Sequence, residues 1–131
     1  MSVLPFAGVV VGSALVSSFS DWLFMGVLFH ERYKDAPEVW RPTADERGKI
    51  IVSQAVAVVS CAAFGGLCLF ADATGLTRAI ELALLAWVAG PAPLIAVNTV
   101  WIRMHPVIAA SHAAGWLVRF LVTAGFVAWL L

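Results

Sequence analysis

Residues 106–131 read PVIAASHAAGWLVRFLVTAGFVAWLL, an apolar run in which Arg119 is the one charge. A helix rises about 1.5 Å per residue, so a run of this length crosses the roughly 30 Å of bilayer hydrocarbon. Runs of the same kind occupy 3–29, 50–71 and 82–102. They lack the period-2 alternation of a barrel strand, and four strands cannot close a barrel. Helix is then the spanning structure left, because it pairs every backbone amide within its own segment. The expected fold is an all-α membrane protein, a four-transmembrane-helix bundle. It forms a single domain over 1–131, with helices near 3–30, 44–71, 76–102 and 106–131 and an aqueous loop at 31–43.

Composition points the same way. Of 131 residues, 62% are apolar and 12% charged, against roughly 45–50% and 25% in soluble domains. Ten of the sixteen charged residues lie between Glu31 and Lys49. Lys and Arg of short loops collect on the cytoplasmic side. Arg32, Lys34, Arg41, Arg47 and Lys49 belong to the first connection and Arg103 to the third, while Arg78 stands alone on the opposite side. Both termini are therefore expected outside. The first run has no basic stretch before it and exceeds the roughly 7–15 residues of a signal-peptide core, so it is expected to be a retained helix.

Local signals mark ends and breaks. Pro42-Thr43-Ala44-Asp45-Glu46 has the Thr-x-x-Glu spacing of a capping box. Asp72-Ala73-Thr74-Gly75 reads as a tight turn, and Pro106 suits a first helical position. Gly90, Pro91 and Pro93 fall inside the third run, where missing amide donors should kink or unwind the helix. Gly8, Gly12 and Ser17 give the first helix a small face, and Gly115 with the alanines around it does the same for the fourth. Such faces allow close backbone contact. Spacing alone does not say whether they meet each other or a second copy. Cys61 and Cys68 are seven residues apart on one helix, about 10 Å of rise, which is too far for a disulfide. They read as packing residues.

An ionisable group inside a span is costly unless paired or wet, which singles out Asp21 and Arg119. Counted along their helices, the two lie at depths that an arginine side chain can bridge. His112, Gly115, Arg119 and Thr123 form one stripe on helix four. Asn98 shares the depth of His112. An intramembrane polar pocket of Asp21, Asn98, His112, Arg119 and Thr123 is thus expected, opening toward the cytoplasm. Two roles suit it, a substrate or proton site and a structural hydrogen-bond network.

Several chemistries are disfavoured. No Cys-x-x-Cys, His-Glu-x-x-His, phosphate loop or Gly-x-Ser-x-Gly occurs, so no enzyme and no metal site are expected. His30 and His105 sit at helix ends while His112 is inside, so haem lacks two histidines at one depth, and no cofactor is expected. The charged loop balances acids with bases and offers no nucleic-acid or polybasic lipid patch. The expected partners are the lipid bilayer and either further copies of the chain or another membrane protein, since four helices leave little room to enclose a path. Two functions follow as expectations: a transporter or channel for a small solute or ion, or a non-catalytic accessory or scaffolding subunit of a larger membrane complex.

Two stretches also carry a likeness. Trp22-Leu23-Phe24-Met25-Gly26-Val27-Leu28-Phe29, with Tyr33 beyond it, resembles the Trp-Tyr…Leu-Phe-Gly…Trp end of helix one in a family of uncharacterised bacterial membrane proteins, domain-of-unknown-function family seventeen-sixty-one. Asn98-Thr99-Val100-Trp101-Ile102-Arg103-Met104-His105-Pro106 resembles that family's Asn-x-aromatic-x-x-Arg-Pro link. Leu23 stands where the family has Tyr, no proline follows it, and the spacing to Phe29 is one residue longer. The resemblance implies a four-helix layout in a bacterial inner membrane and supplies no activity.

Overall fold

The computed structural model describes residues 3–31 and 46–131. The capping box at Thr43 and nearly all of the 31–43 loop lie outside the described residues. Helix α1 (Val3–Asp21) continues as a π-helical stretch, Trp22–Leu28, and is followed by α2 (Glu46–Phe70), α3 (Leu76–Ala89), α4 (Pro91–Trp101) and α5 (Pro106–Leu130). Four spans, Val3–Leu28, Arg47–Phe70, Leu76–Trp101 and Pro106–Leu130, are long and apolar enough to cross a membrane. The protein is an all-helical four-span bundle, with no strand among the described residues.

Helix α5 is the hub. It packs against α1, α2, α3 and α4, whereas α2 and α3 barely meet, and the first and third spans make no close approach among the described residues. The sequence of α5 explains its position. Its buried positions include Ala109, Ser111, Gly115, Thr123 and Ala124, small side chains that admit a neighbouring backbone. The third span instead exposes Leu84, Leu85, Val88, Leu94, Val97 and Val100. In water such a face would drive association. In hydrocarbon it is simply the lipid-facing side.

The small face of α1 meets α5 of the same chain. A Cβ on Gly8 would stand 3.2 Å from Leu130 Cδ1, and one on Gly12 would stand 2.5 Å from Phe126 Cε1. The two glycines are holes that receive the bulky side chains of α5. Gly65 on α2 receives Phe6 and Val9 in the same way, at 3.4 and 3.5 Å. Val9, Phe64, Cys68, Ala79, Ala83, Ala124 and Val127 make the main apolar core. Cys61 and Cys68 are buried free thiols within this packing.

Turns follow from residue type. Helix α2 ends in a Schellman motif: Asp72 takes the left-handed conformation (φ 51°), Ala73 N–H donates to Cys68 O at 2.8 Å, and Asp72 N–H donates to Leu69 O at 3.2 Å. Asp is among the few non-glycine residues that visit this region readily. The third span breaks at Gly90, where Pro91 opens α4 and Pro91 and Pro93 bring no N–H. At the start of α5, His105 Nδ1 accepts from Val107 N–H at 3.2 Å, a cap that supports Pro106 in the first turn. The π-helical turn after Asp21 had no signal in the sequence. Its extra residue per turn carries Met25 and Phe29 onto Ile108 of α5.

Candidate functional site

Asp21 closes the regular part of α1, and Arg119 lies midway along α5. Side chains on a helix lean toward its N-terminus, so the Arg119 guanidinium sits about one turn below its own Cα. There Nη2 donates to Asp21 Oδ2. The guanidinium also lies over the Trp116 ring, 4.7 Å from its centroid, a contact worth about 0.5–2 kcal/mol. Gly115 completes the cradle. A Cβ on it would stand 3.3 Å from Asp21 Oδ1, so the absent side chain is what admits the carboxylate. Within one turn and a half, α5 supplies the cation, its aromatic platform and the space for the anion.

The pair is unevenly buried. The Arg119 side chain is 9% exposed and that of Asp21 32%, so the carboxylate keeps an open side. Its hydrogen bonding is also incomplete: Arg119 Nε and Ser17 Oγ are both buried with no hydrogen-bond partner among the described residues. Ser17 lies one turn before Asp21 on the same stripe of α1. Gly12 is level with Phe126 and Asp21 with Gly115, so Ser17, between Gly12 and Asp21, is at the level of Arg119. An arginine has five N–H donors to place, and the buried Nε–H is among those left spare here.

Other candidate residues divide. His112 is half-buried, one turn before Gly115, and within electrostatic range of Asp21. Thr123 is fully buried, and its hydroxyl donates to the Arg119 carbonyl at 2.9 Å, so it serves its own helix and not the guanidinium. Asn98 does not join the group. It is half-buried on α4, in the third span, which does not approach the first. The expected five-residue pocket is therefore a smaller centre on the α1–α5 seam. Shared depth placed Asn98 beside His112, but depth along a helix says nothing of direction around it. The break at Gly90, Pro91 and Pro93 is also apart from this centre, with Gly90 and Pro93 exposed.

Three contacts escaped sequence reading. Trp116 stacks under Arg119, and its spacing of three residues was a usable signal. Ser18 shares its hydroxyl between the Ala14 carbonyl, at 2.7 Å, and the Gln54 side-chain amide of α2. Gln54, a polar residue inside an apolar run, was the sign of such a bond. Trp87 Nε1 donates to the Ala113 carbonyl at 2.8 Å, tying α3 to α5. Between α2 and α3 lies a cleft of about 300 Å³ whose walls include Ser60, Phe64, Leu67, Ala86, Trp116 and Phe120. Phe120 packs on Phe64 at 4.9 Å and on Trp116 at 5.7 Å between ring centroids, so aromatic contacts run from the ion pair to this cleft. No cluster of three metal-ligating side chains occurs among the described residues. No known protein family, curated protein or solved structure matches the chain.

Proposed function

We propose that the protein is a non-enzymatic transporter or channel of the bacterial inner membrane, passing a small solute or ion through the Asp21–Arg119 centre, with both termini outside. The observation that carries this reading is the incomplete satisfaction of the pair. A purely structural ion pair gains most when all its donors are used. Here Arg119 Nε and Ser17 Oγ have no hydrogen-bond partner among the described residues, and Asp21 is one-third open. The orientation rests on the excess of basic residues in the first and third connections. Assembly of several copies is part of the proposal, because the wide apolar faces of the second and third spans leave room for neighbours.

The test is ion and solute flux in proteoliposomes, comparing the parent with Asp21→Leu/Arg119→Leu, which removes both charges and leaves no buried charge unpaired. Loss of flux in a stably folded double variant supports the proposal. Equal flux in both, or none in either, overturns it. A second reading, an accessory subunit docked on a larger membrane complex, is favoured by the apolar cleft where α2 and α3 barely meet. It takes over if the double variant matches the parent in every flux assay while Phe64→Ala or Phe120→Ala disturbs assembly of a larger complex.

A further inference from the structure

We infer that the Asp21–Arg119 centre takes up a small monovalent oxyanion, of the nitrate or carboxylate kind, together with one proton. The anion lies against Arg119 Nε and Ser17 Oγ, and the proton is carried on Asp21. This inference rests on the transport reading above and names its cargo.

The two orphan atoms define the chemistry of the ligand. Arg119 Nε–H is a donor only, and the Ser17 hydroxyl donates or accepts. Both atoms are buried without a hydrogen-bond partner among the described residues, and they belong to residues at one level of the α1–α5 seam. A group that serves both must accept from the guanidinium and also take the hydroxyl proton, which an oxyanion does with two oxygens. The Nε edge of a guanidinium matches a planar oxyanion in a two-point fork. Ser17 is fully buried and Arg119 nearly so, so the position lies out of bulk water.

Charge balance supplies the coupling. Asp21 and Arg119 cancel. An anion added to the ionised pair leaves one negative charge uncompensated in hydrocarbon, which is strongly disfavoured. A proton on Asp21 removes that charge and releases Arg119 Nη2 from its carboxylate partner. The centre is neutral when empty, with Asp21 ionised, and neutral again when loaded with one anion and one proton. Loading and unloading thus move the two together. The open side of Asp21 is the route for the proton.

Among the described residues, few other charged groups face this position. From α5 they are Arg119 itself and His112, which feels the Asp21 charge and is the competing proton site. From α2, Gln54 meets Ser18, and Lys49 and Arg47 lie nearer the charged end of the helix. The π-helical stretch carries no ionisable residue, and His30 and Glu31 follow it. The third span does not reach Asp21.

The experiment uses the full chain with nitrate as probe, since nitrate does not cross bilayers as a neutral acid. Binding is read from the nitrate-dependent rise in melting temperature in detergent at a series of pH values. Transport is read from a pH dye inside proteoliposomes given nitrate outside. The parent should bind nitrate about tenfold more tightly for each pH unit of acidification over the range in which one proton enters with each anion, because only the protonated centre is competent. Its vesicles should acidify when nitrate enters. Asp21→Asn should bind nitrate at every pH without this slope, and its vesicles should not acidify. Ser17→Ala, which alters no charge and guards against a misfolded Asp21 variant, should keep the slope but bind roughly three- to tenfold more weakly. His112→Gln should keep the slope. A parent that binds nitrate without pH dependence, or not at all, overturns the inference, and so does a slope that survives in Asp21→Asn and vanishes in His112→Gln. If the vesicles pass another small ion in an Asp21-dependent way but move no nitrate, the inference falls and the transport reading stands. If they pass nothing, both fall.

Discussion

Phe126 fills the space that a side chain at Gly12 would need, with its Cε1 2.5 Å from the position of a Cβ there. The first and fourth spans are joined by such knob-and-hole contacts, running from Gly8 and Leu130 at one end to Gly115 and Asp21 at the other. Overpacking a well-filled seam costs about 1–3 kcal/mol. Gly12→Val should therefore lower the melting temperature in detergent, and Gly12→Val/Phe126→Ala should regain part of the loss. Gly66, with nothing within 4 Å of its would-be Cβ, is the control: Gly66→Val should stay within about 0.5 kcal/mol of the parent.

Gly115 and Asp21 make the reciprocal contact, in which a hole on α5 receives a side chain of α1. A Cβ 3.3 Å from Asp21 Oδ1 is tight enough to push the carboxylate off its place. Gly115→Ala is expected to destabilise the parent by about 1 kcal/mol and to have little effect in an Asp21→Ala/Arg119→Leu background, which lacks the atoms the new Cβ would meet, because contacting residues are energetically coupled. Equal losses in both backgrounds would mean that Gly115 serves general packing and not the ion pair.

These contacts show what the amino-acid sequence carries and where it stops. The four spans are legible because each helix pairs its own backbone, so length and apolarity suffice. The break at Gly90 is legible for the same local reason, since Pro91 and Pro93 lack donors. Rise per residue brings Asp21 and Arg119 to depths from which a long side chain closes the gap, and the structure pairs them. Direction around the helix is another matter. Asn98 shares a depth with His112 yet belongs to a span that does not approach that of Asp21, because placement around the hub is decided by all the packed faces together. Nothing local in Trp22–Leu28 announces a π-helical turn.

Trp87 is the one deep tryptophan of the third span, and its Nε1 donates to Ala113 O at 2.8 Å. Trp87→Phe keeps most of the ring and removes this bond. The carbonyl it leaves belongs to a helix and retains its backbone partner, so no orphan is created. The expected loss is small, about 0.6–1 kcal/mol, in line with polar bonds between membrane helices. A loss several times larger would show that Trp87 holds α3 in place by ring packing.

Orientation can be tested with thiols, because Cys61 and Cys68 are buried and should be silent toward an impermeant reagent. With the first connection in the cytoplasm, Pro37→Cys should be shielded in intact cells. Thr77→Cys, exposed at the start of α3 on the opposite side, should react. The reverse pattern would invert the topology, and labelling at both positions would mean mixed insertion.

The ion pair itself supplies the most direct energetic test. Arg119 and Asp21 are bonded inside an apolar bundle, and either charge alone would be left without compensation. Breaking a buried pair by removing one partner costs about 3–5 kcal/mol, whereas replacing both by apolar side chains is often near neutral. Asp21→Asn and Arg119→Leu should thus each lower the melting temperature substantially. Arg119→Leu should lose more, because it also empties the face of Trp116 that the guanidinium covers at 4.7 Å. Asp21→Leu/Arg119→Leu should recover much of the loss without restoring that cation–π contact. The cycle has a clear failure: strictly additive losses would mean that the two charges do not stabilise each other, and that Arg119 is held by Trp116 and the surrounding helix instead of by Asp21.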